Sequence, residues 1–226
     1  GHPRGRPRRR PRRRKGSSFA GPTSSRGVEG LCNRALHVEV GDSSSVAALM
    51  SSVSSRCRTP MSIVVNCAGI DKQCAVVDMT EDDYDELLRV NLKGPFLINQ
   101  AAVKAMLKDK VLEGSIVNIA SIFGKSGYPF FSAYAASKGG VTAFPKFLAQ
   151  ELAGTNIRVN ALLPGPTDTP MAATKSEQLK EEVARIIPMK RFARAEEVAD
   201  VAKYLCSPGS SYITGPSVEV AGGWLA

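Results

Sequence analysis

Five short runs of apolar and β-branched residues alternate along this chain with segments long enough to form helices. The runs occupy residues 35–40, 61–66, 114–120, 157–163 and 217–221. Short runs of this kind are typical of buried strands. Strands that alternate with helices of this length imply parallel β-α-β units. The alternation therefore predicts an α/β fold with a doubly wound parallel sheet.

The segments between these runs carry helix signals. Asp42, or one of the serines after it, is a candidate cap for a first helix, and Thr80 with Asp83 opens a second helix as a capping box. Gly94-Pro95 is expected to interrupt the second helix. Further helices are predicted over residues 96–107, around Tyr134, over the polar stretch 170–190 and over residues 195–205. The polar stretch has the character of a mobile lid.

Three side chains stand where predicted strands end. Asn66 ends the second run, Ser121 follows the third and Pro164 follows the fourth. Sheets of this class bind ligands at the carboxyl ends of their strands. We therefore expect these three residues to share one site.

Tyr134 and Lys138 lie four residues apart in an Ala- and Ser-rich segment that suits a helix. Two side chains at this spacing share one helix face and are close enough to interact. An ammonium within roughly 4 to 6 Å favours the phenolate and lowers the pKa of a tyrosine below its ordinary value of about 10. Such a tyrosine exchanges a proton with an alcohol or carbonyl, and Ser121 could hold the substrate oxygen beside it. The alternative is a half-buried aromatic beside a solvated lysine.

Asn91 shares a helix face with Tyr84, Leu87 and Leu88, so it points where apolar residues do. Taken alone, it has a simple structural interpretation as a helix-breaking asparagine that satisfies backbone groups.

Together these residues resemble the motifs of the short-chain dehydrogenase/reductase family. The family's catalytic tetrad, with its twelve-residue gap between serine and tyrosine, is matched by Asn91, Ser121, Tyr134 and Lys138. Two other segments are similar to its Asn-Asn-Ala-Gly strand end and its Pro-Gly cofactor loop, namely Asn66-Cys67-Ala68-Gly69 and Pro164-Gly165 with Thr169. The resemblance covers residues 35–226 and implies a Rossmann-like fold with strand order 3-2-1-4-5-6-7.

The resemblance implies a role for each residue of the tetrad. Tyr134 is the expected general acid/base, Lys138 lowers its pKa and binds the nicotinamide ribose, and Ser121 orients the substrate carbonyl. Asn91 holds a water that connects Lys138 to solvent. The implied cofactor is NAD or NADP, which carries the hydride. The expected cofactor-binding residues are Glu39, Val40, Asn66, Ala68, Gly69, Tyr134, Lys138, Pro164, Gly165, Thr167 and Thr169.

Within the family, the carboxyl-terminal half is most similar to 3-oxoacyl-[acyl-carrier-protein] reductases and to 17β-hydroxysteroid dehydrogenases of type 8. This similarity implies reduction of a 3-oxoacyl thioester or oxidation of a hydroxysteroid, and a homo- or hetero-tetramer. Basic residues near the expected substrate mouth suit an acidic carrier protein, although a solvated face explains them equally well. They are Lys180, Arg185, Lys190, Arg191 and Arg194.

The family's glycine-rich turn, which receives the pyrophosphate at a helix N-terminus, has no counterpart in this sequence. The domain over residues 35–226 is therefore expected to be incomplete, with its first two strands and helices missing. A central strand then has an exposed edge and the segment 36–40 loses its neighbours, so we expect low stability and weak dinucleotide binding. Pro145, inside the helix of Tyr134, is expected to cost about 3 kcal/mol and to kink it.

The formal charge of +9 arises entirely in residues 1–15, which hold nine basic residues and no acid. Repeated proline and like charge predict a disordered basic arm and linker over residues 1–34. Three interpretations remain open: a polyanion-binding arm, an organellar targeting segment, or a fragment that does not begin at its natural start. A catalytically impaired partner subunit or a polyanion-binding protein is therefore the alternative function, with nucleic acid the least favoured ligand.

The five cysteines have no Cys-x-x-Cys spacing and lie in or beside apolar stretches, which indicates reduced thiols and predicts no metal site. No apolar run approaches the roughly 20 residues of a membrane span. We therefore expect an intracellular protein of the mitochondrial matrix or cytoplasm.

Overall fold

The computed structural model describes residues 34–224, except for the side chain of Thr174. The described residues 36–224 belong to one compact unit. Its strands are β1 (Ile63–Asn66), β2 (Gly114–Ile119), β3 (Ile157–Pro164), β4 (Thr167–Asp168), β5 (Ala193–Arg194) and β6 (Ser217–Val220). Its α-helices are α1 (Ser43–Arg56), α2 (Glu81–Leu88), α3 (Gly94–Lys108), α4 (Ser132–Glu151), α5 (Glu177–Ile186) and α6 (Ala195–Cys206). The predicted arm and linker lie outside the described residues, apart from Arg34.

Four strands form one parallel sheet in the order β1-β2-β3-β6. β2 lies between β1 and β3, in a register that pairs Asn118 with Asn66 on one side and with Ala161 on the other. Nearly all side chains of β2 and β3 are buried, as in a parallel sheet covered on both faces. The predicted α/β fold is confirmed, and the order matches four neighbouring strands of the seven expected. The pair formed by β4 and β5 was not predicted.

Each face of the sheet carries its own apolar core. Successive side chains of a strand point to opposite faces, so Ile116 joins one core and Val117 the other. The core beneath α3 and α4 contains Ala102, Met106, Ile116, Leu152, Ile157 and Val159. The core beneath α6 contains Val117, Leu162, Ala202 and Leu205. Helices therefore cover both faces, which confirms the doubly wound arrangement.

Residues 35–40 do not form a strand, contrary to the prediction. In the described part of the chain no strand lies beside this segment, and a strand needs a neighbour for its backbone groups. These groups bond locally instead: the Asp42 N–H donates to the Glu39 carbonyl at 2.9 Å, and the Glu39 N–H donates to Ser45 Oγ at 2.9 Å. The resulting turn leads into α1, and Asp42 is its N-cap as expected.

β1 lies at an edge of the sheet. Val64 packs against the core beneath α3, but Ile63 and Val65 on the opposite face are 52% and 45% exposed. These two side chains are uncovered because α6 lies over the other strands and not over β1. The exposed edge is the one expected for a central strand that lacks a neighbour.

The second predicted helix does not break at Gly94-Pro95. A π-helical segment, Arg89–Lys93, joins α2 directly to α3 and contains the buried Asn91. Pro95 lies in the first turn of α3, where a missing N–H is tolerated. The irregularity is thus a π-bulge ahead of the proline, and such bulges are frequent at functional sites.

α4 continues through Pro145 to Glu151, so the proline does not end the helix. Pro145 is itself buried, as are Val141 and Ala149 on the same helix. The burial of this face offsets the hydrogen bond that a proline removes.

Residues 170–190 contain α5 and a short 3-10 turn, Ala172–Thr174, which confirms their helical tendency. No described side chain of α5 is fully buried. Within residues 34–224, no helix has the length and apolar character needed to cross a membrane.

Candidate active site

Ser121 lies just beyond the end of β2, where its side chain caps a 3-10 turn, Ile122–Gly124. The Phe123 N–H donates to Ser121 Oγ at 3.2 Å. Gly124 allows this turn to approach α4 closely, because a Cβ there would lie 2.8 Å from the Lys138 carbonyl oxygen. Tyr134 is in the first turn of α4 and lines the same cavity as Ser121, whose hydroxyl is near enough to oppose the rise in the pKa of the phenol. The structure therefore brings the predicted serine and tyrosine together.

Lys138 lies one turn along α4 from Tyr134 and is 5% exposed. Its Nζ donates to the carbonyl oxygen of Ile119 at 2.9 Å and lies 5.8 Å from the centre of the Tyr134 ring. Burial lowers the pKa of Lys138 to about 8, with Cys67 acting in the opposite direction. The interpretation of Lys138 as a solvated surface residue is thereby excluded.

The pKa of Tyr134 is not lowered, contrary to the sequence argument. Burial raises the pKa of Tyr134 to about 12, the charge of Asp71 adds to the rise, and the hydrogen bond with Ser121 opposes it. The sequence argument considered the attraction of the Lys138 ammonium but not the cost of removing a phenolate from water. In this structure the cost of desolvation is the larger effect, so Tyr134 is a neutral phenol at neutral pH.

Asn91 is fully buried, and its side chain is hydrogen-bonded to the backbone of the segment that follows β1. Its Nδ2 donates to the Ile70 carbonyl oxygen at 2.8 Å, and its Oδ1 accepts from the Ile70 N–H at 2.9 Å. Nδ2 also lies 3.1 Å from Ser137 Oγ on α4. Asn91 therefore satisfies backbone groups, as its simple structural interpretation held, and lies near Lys138, another member of the tetrad.

Gly69 lies beside two members of the tetrad, Asn91 and Lys138. A Cβ at this position would lie 3.4 Å from both Asn91 Oδ1 and Lys138 Nζ. A side chain at this position would therefore contact both polar groups.

A network of three asparagines beneath the site was not predicted. Asn118 Oδ1, in β2, accepts from Asn66 Nδ2 at 2.8 Å and from Asn99 Nδ2 at 2.7 Å. Asn99 Nδ2 also donates to the Pro95 carbonyl oxygen at 2.6 Å. A polar Asn118 within an apolar strand was the sequence signal for this network. The network fixes the end of β1 against β2 and α3.

A cavity of about 790 Å³ opens in front of these residues. Ser121, Tyr134 and Lys138 form its polar floor. Of the expected cofactor-binding residues, those that line it are Gly69, Tyr134, Lys138, Pro164, Gly165, Thr167 and Thr169. Gly165 allows a close approach of the segments that follow β3 and β6, since a Cβ there would lie 2.9 Å from Ala221 Cα.

Four expected cofactor-binding residues do not line this cavity. Glu39 instead approaches Arg89, with 3.9 Å between Oε2 and a guanidinium nitrogen, and Val40 packs against Gly94. Asn66 belongs to the asparagine network, and Ala68 lies outside the lining. The cavity therefore gathers the residues expected at the nicotinamide end of a dinucleotide but not those expected at the adenine end.

The described residues fit one end of NAD or NADP. Lys138 lines the cavity, and its Nζ offers a donor to a ribose hydroxyl. No glycine-rich turn opens any of the helices described in residues 34–224, so the structure has no pyrophosphate cradle of that kind in this part of the chain. Within the same residues, no cluster of three potential metal ligands is found.

The basic residues near the mouth are largely paired with acids. Arg191 and Glu197 are joined by nitrogen–oxygen contacts of 2.7 and 2.8 Å, which lower the pKa of Glu197 to about 2. Lys180 lies 2.7 Å from Glu177, and of the residues in this group only Lys180 lines the cavity. The remaining contacts are Arg185 with Glu181, Arg194 with Glu197, and Lys190 with the Arg185 carbonyl. This pairing supports the interpretation of a solvated face.

An aromatic lining of the cavity was also missed. Phe123, Tyr128, Phe131 and Trp224 line it near Tyr134. Three of the four belong to residues 121–138, where aromatic residues are frequent, but Trp224 is distant in sequence. Only the folded chain places it there.

One protein family and several known proteins are similar to this chain in sequence. A family model described as Enoyl-(Acyl carrier protein) reductase matches residues 22–225. The chain is 40% identical over 205 residues to the human (3R)-3-hydroxyacyl-CoA dehydrogenase. The aligned residues cover 91% of this chain and 78% of that protein. It is 45% identical over 161 residues to a 3-oxoacyl-[acyl-carrier-protein] reductase of Thermotoga maritima, which covers 71% of this chain and 65% of the bacterial protein.

Two solved structures are similar over most of the fold. A gluconate 5-dehydrogenase from Burkholderia cenocepacia, in complex with NADP and tartrate, superposes with a TM-score of 0.77 at 28% identity. That match covers 82% of this chain and 72% of the other. A variant of actinorhodin polyketide ketoreductase with NADPH gives a TM-score of 0.78 at 34% identity, covering 82% and 75%.

Proposed function

Because this chain belongs to the short-chain dehydrogenase/reductase family, we propose that it is an NAD- or NADP-dependent oxidoreductase that interconverts a ketone and a secondary alcohol. The observation that carries the proposal is that Ser121, Tyr134 and Lys138 line one cavity, with Lys138 Nζ 5.8 Å from the centre of the Tyr134 ring. The hydroxyls of Ser121 and Tyr134 are able to bind one substrate oxygen, and the phenol is the group that exchanges a proton with it.

In the reducing direction, Tyr134 gives a proton to the carbonyl oxygen. Its pKa of about 12 keeps the phenol protonated at neutral pH, so the acid is ready in its active form. Ser121 holds the same oxygen through its hydroxyl. The bound coenzyme supplies the hydride.

Lys138 has two roles in this proposal. It lines the cavity, where its Nζ binds the hydroxyls of the nicotinamide ribose. The ammonium lies 5.8 Å from the ring centre of Tyr134, so its charge stabilises the phenolate formed by proton transfer. Asn91 positions this region through Ile70 and Ser137, and holds the water that connects Lys138 to solvent.

The proposed substrates are 3-oxoacyl thioesters, with hydroxysteroids as a second class. The names of the human and Thermotoga maritima relatives support an acyl thioester. Acyl carrier protein is a candidate partner, and Lys180, which lines the cavity, is the basic residue proposed to meet it. The cavity also borders the uncovered side chains Ile63 and Val65, which gives an acyl chain apolar surface to follow.

We also propose a tetramer located in the mitochondrial matrix or cytoplasm. Phe96 of α3 and Phe147 of α4 are 46% and 70% exposed, and burial of such rings against another copy removes them from water. Four described cysteines are free thiols, which suits a reducing compartment. Light scattering during size-exclusion chromatography tests the oligomeric state.

The central experiment replaces Tyr134 by phenylalanine. Tyr134→Phe keeps the ring contacts and removes only the hydroxyl, so the fold is retained and turnover falls by at least about a hundredfold. Tyr212→Phe is the matched control, since Tyr212 is fully exposed at 102%. Undiminished ketone reduction by Tyr134→Phe, with either coenzyme, overturns the proposal.

A non-catalytic role is the second candidate, as a partner subunit or a polyanion-binding protein. The observation that favours it is the exposed β1 edge together with the missing glycine-rich turn in residues 34–224. Under this candidate, titration with NADH or NADPH gives only weak binding, whereas micromolar affinity excludes it. Salt-dependent retention on heparin that disappears when residues 1–15 are deleted supports the polyanion-binding form, because those residues carry the excess charge.

A further inference from the structure

Asp71 is the only acidic side chain among the described residues that line the cavity. Its Oδ2 lies 3.5 Å from the Nζ of Lys175, which lines the same cavity. The two side chains are 25% and 29% exposed, so the ion pair lies where the cavity meets solvent. Neither residue has a role in the proposed proton and hydride transfer.

The backbone on both sides of Asp71 is held in place. The N–H and the carbonyl oxygen of Ile70 are both bonded to the side chain of Asn91, at 2.9 and 2.8 Å. The Nζ of Lys72 lies 2.5 Å from Oδ2 of Asp83, in the first turn of α2. Asp71 therefore belongs to a loop that is fixed against two helical segments.

Lys175 belongs to residues 171–186, which are called here the lid segment. Lys175 lies between the two parts of this segment, the 3-10 turn Ala172–Thr174 and the helix α5. No described side chain of α5 is fully buried. Two ion pairs of α5, Lys180 with Glu177 and Arg185 with Glu181, lie within the helix. The contact with Asp71, in contrast, joins the lid segment to another part of the fold.

The Asp71–Lys175 pair joins two walls of the cavity. The lid segment contributes Met171, Leu179 and Val183 to the lining, and the loop after β1 contributes Gly69 and Ile70. Ser121 and Tyr134 line the same space. The charge of Asp71 is near enough to Tyr134 to add to the rise in the pKa of that phenol, which places the pair beside the proton-handling residue.

We propose that Asp71 and Lys175 are positioning residues, whose ion pair holds the lid segment closed over Ser121 and Tyr134 while a ketone or alcohol is bound. The inference rests on the proposed ketone and alcohol chemistry and adds a device that controls access to the same site. A closed lid keeps the substrate in place and excludes water, and its opening admits substrate and releases product.

The same pair links the lid to the phenol. With the lid closed, the ammonium of Lys175 offsets the charge of Asp71, whereas with the lid open the carboxylate acts on Tyr134 without this partner. Besides Asp71, the charged residues in the described lining are Lys138 of α4, Lys175 and Lys180 of the lid segment, and Lys203 of α6. The other titratable groups there are the thiols of Cys67 and Cys206 and the phenol of Tyr128. Loss of Asp71 and loss of Lys175 therefore have opposite electrostatic effects on Tyr134.

Hydrogen exchange of the full chain without ligands tests the lid contact independently of turnover. Asp71→Asn and Lys175→Met each remove one charge of the pair. Each is expected to raise the exchange rates of the amides in α5 about two- to fivefold, the range that a partly exposed ion pair supports. Lys175→Arg keeps the charge and is expected to retain the wild-type rates. Arg185→Met is the matched control, because its pair with Glu181 stays within α5.

Steady-state kinetics tests whether the contact serves the reaction. The acetoacetyl thioester of N-acetylcysteamine is an uncharged 3-oxoacyl substrate, so neither charge of the pair attracts or repels it directly. Asp71→Asn and Lys175→Met are each expected to raise KM about two- to fivefold, with a smaller change in kcat, because the substrate is held less firmly.

The pH dependence of the reverse reaction gives a second kinetic test. Oxidation of the matching 3-hydroxybutanoyl thioester needs the Tyr134 phenolate. Asp71→Asn is expected to move the pH profile to lower pH, because the negative charge that raises the pKa of Tyr134 is lost. Lys175→Met is expected to move it to higher pH, because Asp71 then lacks its counter-charge. A change in packing alone would not give shifts of opposite sign.

Three results overturn the proposal. The first is unchanged exchange in α5 for either Asp71→Asn or Lys175→Met. The second is faster exchange with an unchanged KM and an unmoved pH profile, because the pair would then be only structural. The third is a pair of pH profiles that move in the same direction. If the wild-type chain shows no turnover with either coenzyme while exchange responds as expected, the lid contact stands and the proposed oxidoreductase activity fails, so the two failures are distinguishable.

Discussion

The ammonium nitrogen of Lys138 lies 2.9 Å from the carbonyl oxygen of Ile119, the last residue of β2. This bond ties α4 to the end of the central strand and holds a positive charge inside the protein. Burial lowers the pKa of Lys138 to about 8, so the charge is retained at neutral pH at a cost to stability.

Stability is expected to rise with pH between about 8 and 10 because of Lys138. In this range the native lysine has begun to lose the proton that the unfolded chain still holds, so the free energy of unfolding increases with pH. Above pH 10 the trend reverses, since native Tyr134, with a pKa of about 12, retains a proton that the unfolded chain loses. Urea denaturation at a series of pH values measures both the rise and the fall in the free energy of unfolding. Lys138→Met should remove the rise, whereas Lys108→Met on the exposed surface should keep it.

Ser121→Ala is expected to move the pH dependence of alcohol oxidation to higher pH. The hydrogen bond from Ser121 opposes the upward shift in the pKa of Tyr134, so its loss raises that pKa further, and oxidation needs the phenolate. The variant should also lose about a hundredfold in kcat/KM, because one of two groups that hold the substrate oxygen is gone. Ser51→Ala, at an exposed position of α1, is the control. A pH profile that does not move would contradict the assigned role of the Ser121 hydroxyl.

Asn91→Ala is expected to destabilise the fold by about 2 to 4 kcal/mol, because both backbone groups of Ile70 lose their partner. Asn156→Ala serves as a comparison, since its side chain is exposed. The free energies of unfolding are obtained from urea denaturation. If Asn91→Ala were no less stable than Asn156→Ala, Asn91 would not have the structural role that its contacts indicate.

Gly165→Ala tests the close approach of the cofactor loop to the last strand. The new Cβ would lie 2.9 Å from Ala221 Cα, a backbone atom that cannot move aside alone. We expect a loss of about 1 to 3 kcal/mol of stability and weaker binding of NADH or NADPH. Gly127→Ala is the matched control, because no atom lies within 4 Å of its added Cβ. Equal melting temperatures for the two variants would show that the loop accommodates the methyl group.

The tetrad could be predicted because its defining relations are local or follow from topology. Tyr134 and Lys138 share a helix face at any position in a fold, and Ser121 follows a strand whose β-branched residues are evident in the sequence. Parallel strands place their carboxyl ends together, so the convergence of Ser121 and Pro164 followed as well. The same local signals predicted the caps Asp42 and Thr80.

Other features depend on what surrounds a residue, and sequence spacing does not report this. Residues 35–40 have strand-like composition, but a strand also needs a paired neighbour. The pKa of Tyr134 depends on the depth of burial, which outweighs a nearby charge in this structure. The partners of Asn91 and the network of Asn99 and Asn118 arise from contacts between distant segments.

The sequence by itself therefore determined the alternating architecture and the residues that handle the proton, because periodicity and short spacings encode them. Only the tertiary structure decided the protonation state of Tyr134, the burial of Lys138 and the presence of Trp224 in the cavity wall. The physical reason is that desolvation and long-range packing are properties of the folded surroundings and not of the neighbouring residues in the chain.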